Sequence, residues 1–293
     1  MLRLTLSKRI STTILVILAI ILLSYLIPYL HRSNKVLYVG VDGYSAPFSS
    51  ANHMGELKGF NIDLAKAIAK SLDAKVEFRI LPFNDLEKNL KQKKIDMIIG
   101  PFDTHNIVLP KDYVYSVPYF KNNLVLIKRK QDRDSELLRR NSTKDSSYCI
   151  TDKPHVLNYV RRKFSDKTIK IYENSQAALQ AIYLGECSAI IDSYSSANYY
   201  ITKHKLKHLT IISLENTTHY HLYRIVLNLE DISLKNKIND AILYMSQTGQ
   251  LDKISQKWFS QKSTIRENVL KDPAFRKQCS ILEHCLTFYS IIH

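Results

Sequence analysis

The stretch from Val36 to Lys128 alternates extended and helical periodicity in an order that few architectures accommodate. LYVGV is a short β-branched run stopped by Asp42-Gly43, as a buried strand ends at a turn. In LAKAIAKSL the apolar residues Leu64, Ile68 and Leu72 recur at helical spacing, and Asn61 or Asp63 is placed to cap the first turn. KVEFRIL alternates as a second strand, DLEKNLKQKK gives a polar-faced helix, and DMIIG is a third strand of the kind buried on both faces. The order β-α-β-α-β predicts an open parallel sheet, and ligands of such sheets lie outside the carboxyl ends of the strands. The turns to inspect are residues 42–48, 82–84 and 100–104.

The runs VGVDGYSAPF, GELKGFNIDLAKAIAKSL, IDMIIG and YSVPYF, in this order, resemble the periplasmic solute-binding proteins of polar amino-acid ABC transporters (bacterial extracellular solute-binding proteins, family 3). The likeness continues through ALQAIYLGECSAIIDSYSSANYYI, similar to a second lobe's helix, strand and ligand turn, and through LKNKINDAILYMSQTGQLDKISQKWF, similar to a C-terminal helical pair with a turn at Gly249 and the chain's single Trp258. It spans residues 36–262. It implies an α/β, two-lobed periplasmic-binding-protein clamp of type II, each lobe a mainly parallel sheet flanked by helices, behind an N-terminal transmembrane or signal helix. The expected division is 1–33 for that helix, 36–124 for lobe 1, 125–222 for lobe 2, 223–262 for the return to lobe 1, and 263–293 for a C-terminal extension. The charge-rich KRKQDRDSELLRR, residues 128–140, reads as a solvated stretch after the first crossing.

Ile10 to Leu30 carries no formal charge and follows Arg3, Lys8 and Arg9, which is long enough to span a bilayer. The run ends in IPYLHRSN without an A-x-A pattern or a lipid-accepting cysteine, so an uncleaved signal anchor is favoured over a cleaved signal peptide. Either implies export, with a periplasmic location and inner-membrane anchoring through residues 10–30. In an oxidising compartment Cys149, Cys187, Cys279 and Cys285 allow three pairings. Cys279 and Cys285 in the tail fit a disulfide that clamps it to itself or, equally, free thiols, whereas Cys149 and Cys187 fit either neighbours across a sheet or ordinary buried cysteines.

The formal net charge of +15 comes from lysines and arginines dispersed over helices and loops, with no aromatic RNA-binding signature, so no nucleic-acid partner is expected. The chain holds no H-E-x-x-H, C-x-x-C or G-x-S-x-G motif and only seven glycines, so no catalytic residue, cofactor or metal is expected. His204 and His208, or His219 and His221, have ligand-like spacing but no carboxylate or cysteine partner, and exposed histidines are the expectation.

In the family, the resemblance implies, a turn after the third strand holds the ligand and an arginine grips its carboxylate through a bidentate fork. Here GPFDTHNIVLP puts Val108 or Leu109 at that position, and His105 and Lys111 are the nearest cations. Asp103 stands where a hydroxyl is expected, and Thr104 supplies one if the turn shifts by a residue. Asp192 is the candidate for the ligand's ammonium, although ungapped counting puts Ser193 there and a one-residue offset turns Asp192 away from the cleft. Asp42 either attracts a cationic group or caps its own turn, Phe83 offers an apolar wall, and Gly100 opens the ligand turn. Thr151 to His155 lies where backbone N–H groups at a helix start can meet an anion.

The expected function is that of an exported receptor closing on a small polar metabolite, an amino acid or a relative, for a partner ABC permease, as a monomer. The alternatives are a membrane-anchored binding or sensing module without transport, and a periplasmic prephenate dehydratase-like enzyme, for which the cleft lacks a carboxylate clamp.

Overall fold

The computed structural model describes residues 35–100, 112–130, 147–214 and 221–259, together with Ile20 and Leu22. The apolar N-terminal run beyond those two residues, most of the 128–140 charged stretch, His219 and the tail with Cys279 and Cys285 lie outside the described residues. Among the described residues no helix is long and apolar enough to cross a membrane.

Two five-stranded sheets form the two lobes. The first has the order β5 (Lys75–Ile80), β1 (Val36–Val41), β6 (Met97–Ile98), β15 (Val226–Asn228), β7 (Tyr113–Tyr115). The second has the order β11 (Thr168–Tyr172), β10 (Ser147–Thr151), β12 (Ala189–Ser193), β9 (Leu124–Arg129), β13 (Leu209–Ser213). β1 pairs in parallel with β5 and β6, and β10 in parallel with β11 and β12. β15 runs antiparallel to β6 and β7, and β9 antiparallel to β12 and β13. In each sheet, therefore, one strand next to the last opposes the other four.

Those two opposing strands follow the crossings between lobes. β8 (Phe120–Asn122) leads into β9, and β14 (His221–Tyr223) leads into β15. β8 and β14 pair with each other in register Phe120↔Tyr223 and His221↔Asn122, so the two crossings form one hydrogen-bonded ribbon. After β14 the chain re-enters the first sheet as β15. A three-stranded sheet of β2 (Tyr44–Ser45), β3 (Ser49–Ala51) and β4 (Leu57–Lys58) sits at the carboxyl end of β1.

Strand alternation divides each lobe's core into two faces. Leu37, Val39 and Val41 pack with Ile62, Leu64 and Ile68 of α1 (Phe60–Ser71) and with Ile238, Ile242 and Met245 of α6 (Ile232–Gln247). On the opposite face Ile98 and Val226 meet Leu86 and Leu90 of α2 (Phe83–Lys91). In the second lobe Ile127, Cys149 and Ile190 pack against α4 (Ser175–Tyr183) and α5 (Tyr194–Lys203), while Leu126, Ile150 and Ile191 pack against α3 (Pro154–Lys163). Each such side chain fully buried contributes about 1.5–3 kcal/mol.

The expected cap of α1 by Asn61 or Asp63 is corrected. The helix begins at Phe60 with Gly59 as its N-cap and no side-chain capping bond, so both residues lie within the first turn. Asn61 is fully buried, and Asp63 instead receives Lys257 Nζ at 2.7 Å and Trp258 Nε1 at 2.8 Å from α7 (Gln250–Phe259). Gly249 turns α6 into α7 with a positive φ of 73°. Phe120 sits 4.8 Å from Phe259, 5.0 Å from Phe48 and 5.2 Å from Phe60, ring centroid to centroid, so the first crossing strand is rooted in lobe 1.

Cys149 and Cys187, which the sequence left between two readings, form a disulfide. Cys149 lies in β10 and Cys187 two residues before β12, the strand paired with it, so the pairing of β10 with β12 brings the two together.

Candidate functional site

Residues just past the parallel strands reach the ribbon from both lobes: Phe48 packs on Phe120, and Ser195 bonds to Asn122. In lobe 1 the strand ends carry Asp42 and Gly100, each two residues beyond the paired Gly40 and Ile98 of β1 and β6. Asp42 is almost buried, and both its oxygens are engaged locally. Ser49 Oγ donates to Oδ1 at 2.6 Å, Ser45 Oγ donates to Oδ2, and the Tyr44 N–H approaches Oδ1 at 3.4 Å. Of the two roles open to Asp42 in the sequence, the structure displays the turn cap. Gly100 O accepts from Tyr119 Oη at 2.8 Å, and burial of Tyr119 pushes its phenol well above the usual tyrosine range.

Phe83 opens α2 in the turn after β5, as expected, and its side chain is not among those described. Asp103 and Thr104 lie outside the described residues.

In lobe 2, Asp192 lies at the carboxyl end of β12 with 1% of its side chain exposed. Four donors from three segments converge on its carboxylate. Thr151 Oγ1 donates to Oδ1 at 3.1 Å, Lys153 Nζ donates to Oδ1 at 3.1 Å, and the Ser193 N–H donates to Oδ1 at 2.7 Å. Ser175 Oγ donates to Oδ2. The carboxylate thus faces the other strand ends of its own sheet, and Lys153 covers it. Removing one member of such a pair typically costs 3–5 kcal/mol when both are buried, and less here because 17% of the Lys153 side chain is exposed.

Lys153 is the N-cap residue of α3, followed by Pro154 at the first helical position. It makes no side-chain capping bond, and the first turn of α3 holds no acidic residue. An ammonium at a helix N-terminus adds to the positive end of the helix dipole, and Asp192 is the anion that offsets it. Nζ also lies 3.5 Å from Ser175 Oγ and from Ser196 Oγ.

This lobe-2 edge is tied to the ribbon. Ser195 Oγ donates to Asn122 Oδ1 at 2.9 Å, Asn122 Nδ2 donates to Tyr223 Oη at 3.0 Å, and the Tyr194 N–H donates to Asn123 O at 2.8 Å. Ala46, which follows β2 in lobe 1, packs against the lobe-2 cluster that includes Ala197. Arg224, between β14 and β15, is buried and donates to Ser116 O at 3.1 Å.

Lys153, Ser175 and Arg224 were not singled out by sequence reasoning. The one signal was the placement of residues 151–155 between a strand and a helix, which drew attention to backbone N–H groups rather than to the lysine. Of the paired histidines, His204 stacks on Tyr200 at 6.1 Å and His208 meets the edge of Tyr183 at 6.2 Å. Among the described residues no group of three His, Cys, Asp or Glu side chains is placed to hold a metal ion.

Known proteins share this architecture and sequence. The profile of the bacterial extracellular solute-binding proteins, family 3, matches residues 37–261. The probable amino-acid-binding protein YxeM of Bacillus subtilis (strain 168) is 25% identical over 240 residues, covering 80% of this chain and 88% of its own. The structure of an ancestral arginine-binding protein bound to arginine is 28% identical, with a TM-score of 0.63, covering 78% of this chain and all of the other. AncCDT-1, an ancestral amino acid-binding protein described as a precursor of cyclohexadienyl dehydratase, shares the fold at 24% identity and a TM-score of 0.63, covering 77% of this chain and 95% of its own. With two lobes of one topology joined by a double crossing, and a family match over most of its length, the chain belongs to the bacterial extracellular solute-binding proteins, family 3.

Proposed function

We propose that this solute-binding protein closes its lobes on a small polar metabolite, an amino acid or a related carboxylic acid, and presents the closed form to an ABC permease without chemical turnover. The observation that carries this reading is the ribbon of β8 and β14: two sheets of the same layout are joined by it, and residues past the strand ends of both lobes reach it, Gly100 through Tyr119 and Ser195 through Asn122. Closure is then a population shift driven by contacts made only when both lobes touch the ligand. The division that serves it is 36–124 with 223–262 as one lobe and 125–222 as the other, supported by the sheet membership of the strands. Residues 10–30 anchor the monomer to the membrane in this reading, and Asp42, Phe83, Gly100, Asp103, Thr104 and Asp192 surround the cleft.

The test is scattering and thermal unfolding of the full-length protein in detergent across a panel of amino acids and small acids. A ligand that raises the melting temperature and reduces the radius of gyration supports the reading. Turnover of prephenate instead supports the dehydratase alternative. The engagement of Asp42 and Asp192 by their own neighbours favours one second reading, a binding module without transport. In that case the panel gives no response and crosslinking in membranes recovers a protein partner other than a permease.

A further inference from the structure

Of the acidic candidates, the two among the described residues, Asp42 and Asp192, offer a ligand no open carboxylate. Asp42 is closed by Ser45, Ser49 and the Tyr44 N–H, and Asp192 by Thr151, Lys153, Ser175 and the Ser193 N–H. A ligand ammonium reaching Asp192 would have to displace Lys153 from it. The lysine's other neighbours within reach are the hydroxyls of Ser175 and Ser196, which carry no compensating charge. The converse arrangement leaves that pair intact. The Asp192 side chain is buried and the Lys153 side chain is the partly exposed member of the pair, so it is the lysine that reaches solvent at the carboxyl edge of the lobe-2 sheet. An ammonium has three donor directions, and here they go to Asp192 Oδ1 at 3.1 Å and to the Ser175 and Ser196 hydroxyls at 3.5 Å, the two serine bonds being long and therefore the ones a ligand anion would replace.

We infer that lobe 2 receives an anionic group of the ligand on Lys153, with Asp192 as the buried base that fixes the lysine, so that the preferred ligand is a carboxylic acid lacking an α-ammonium group. This rests on the proposed solute-receptor reading and narrows it. Thr151 and Ser175 act as positioning residues: they hold Asp192, which in turn holds Nζ in place. The lysine takes the place of an ammonium that an amino acid would bring with it, so one positive charge is already present and a second is repelled.

The test is calorimetric titration of the full-length protein in detergent with matched pairs: L-glutamate against 2-oxoglutarate, L-alanine against L-lactate, and L-phenylalanine against phenyllactate. In a pair that binds, the amine-free acid is expected to bind at least tenfold more tightly. Lys153→Met is expected to weaken that binding at least tenfold, and Lys153→Arg to keep it within a few-fold. Circular dichroism verifies folding of both variants, and should Lys153→Met fail to fold, the Arg variant and the matched pairs decide alone. Tighter binding of the amino acid, or acid binding unchanged in folded Lys153→Met, overturns the inference and leaves solute binding intact. Absence of heat for every compound overturns both.

Discussion

The indole N–H of Trp258 donates to Asp63 Oδ2 at 2.8 Å, joining residues 195 positions apart and fastening the last described helix to the first. Lys257 Nζ reaches the same oxygen at 2.7 Å, but its side chain is 61% exposed and solvent screens that pair. The indole bond therefore contributes more. Trp258→Phe is expected to lower stability by about 1 kcal/mol and Lys257→Ala by less than about 0.5 kcal/mol, measured by urea denaturation followed by circular dichroism. Because Trp258 is the only tryptophan in the chain, a red shift of its emission in Asp63→Ala would report the loosening of this contact directly.

Gly59 and Gly55 both have positive φ, 147° and 77°, yet they respond differently to an added methyl group. A Cβ on Gly59 would stand 2.0 Å from Phe48 O, a backbone atom that also receives the Asn61 N–H, whereas a Cβ on Gly55 meets nothing within 4 Å. Gly59→Ala is expected to cost more than about 3 kcal/mol and Gly55→Ala about 1–2 kcal/mol. Paired denaturation curves check the contrast, and equal losses would contradict it.

Cys149 and Cys187 are buried and close a loop of 38-residue separation. Chain entropy gives such a crosslink roughly 4 kcal/mol, with measured values commonly about 2–4 kcal/mol. The Cys149→Ala/Cys187→Ala double variant is expected to lose stability in that range. In the wild type, alkylation with reductant present should leave both thiols unlabelled until denaturant is added, as read by peptide mass.

Tyr115 is pushed up to about 12, first by burial and then by the charge of Glu87 and the neighbouring Tyr113. An unfolded tyrosine loses its proton near pH 10, so between about pH 10 and 12 the folded state holds more protons than the unfolded one. Stability is accordingly full below pH 10 and declines as pH rises through this window. Because the side chain is only half-buried, solvent reduces the effect of this one group to less than about 2 kcal/mol. Tyr115→Phe should flatten that part of the decline, measured by urea denaturation at pH 8, 10 and 11.

The alternation of apolar residues made much of the fold legible. LYVGV, KVEFRIL and DMIIG predicted three strands of one sheet, and β1, β5 and β6 are those strands, with register set by which face each side chain buries. Lys153 was not legible because one lysine among 42 basic residues carries no mark; only the meeting of β10 with β12 brings it to Asp192, 39 positions away. The same applies to Cys187, which precedes its strand and gave no periodic signal. Asp63 was misread as a cap since a carboxylate near a helix start satisfies that pattern locally, while its actual partners arrive from the far end of the chain. Asp192 shows the limit from the other side: it stands in β12, the strand read from SAIID, but its hydrogen-bond partners were set by three segments that sequence spacing does not relate.

The position of β15 between β6 and β7 has a consequence for biogenesis. β7 touches the rest of its sheet only through β15, with pairs such as Leu227↔Val114, and β15 is synthesised more than a hundred residues later. A nascent chain that has emerged as far as β7 has no strand on which to dock it, so the first lobe stays open at that edge while the whole second lobe is made. Completion of the N-terminal sheet is thus timed by its C-terminal strand. A chain truncated before Val226 would expose two unpaired strand edges, on β6 and on β7, to whatever folding factor receives it.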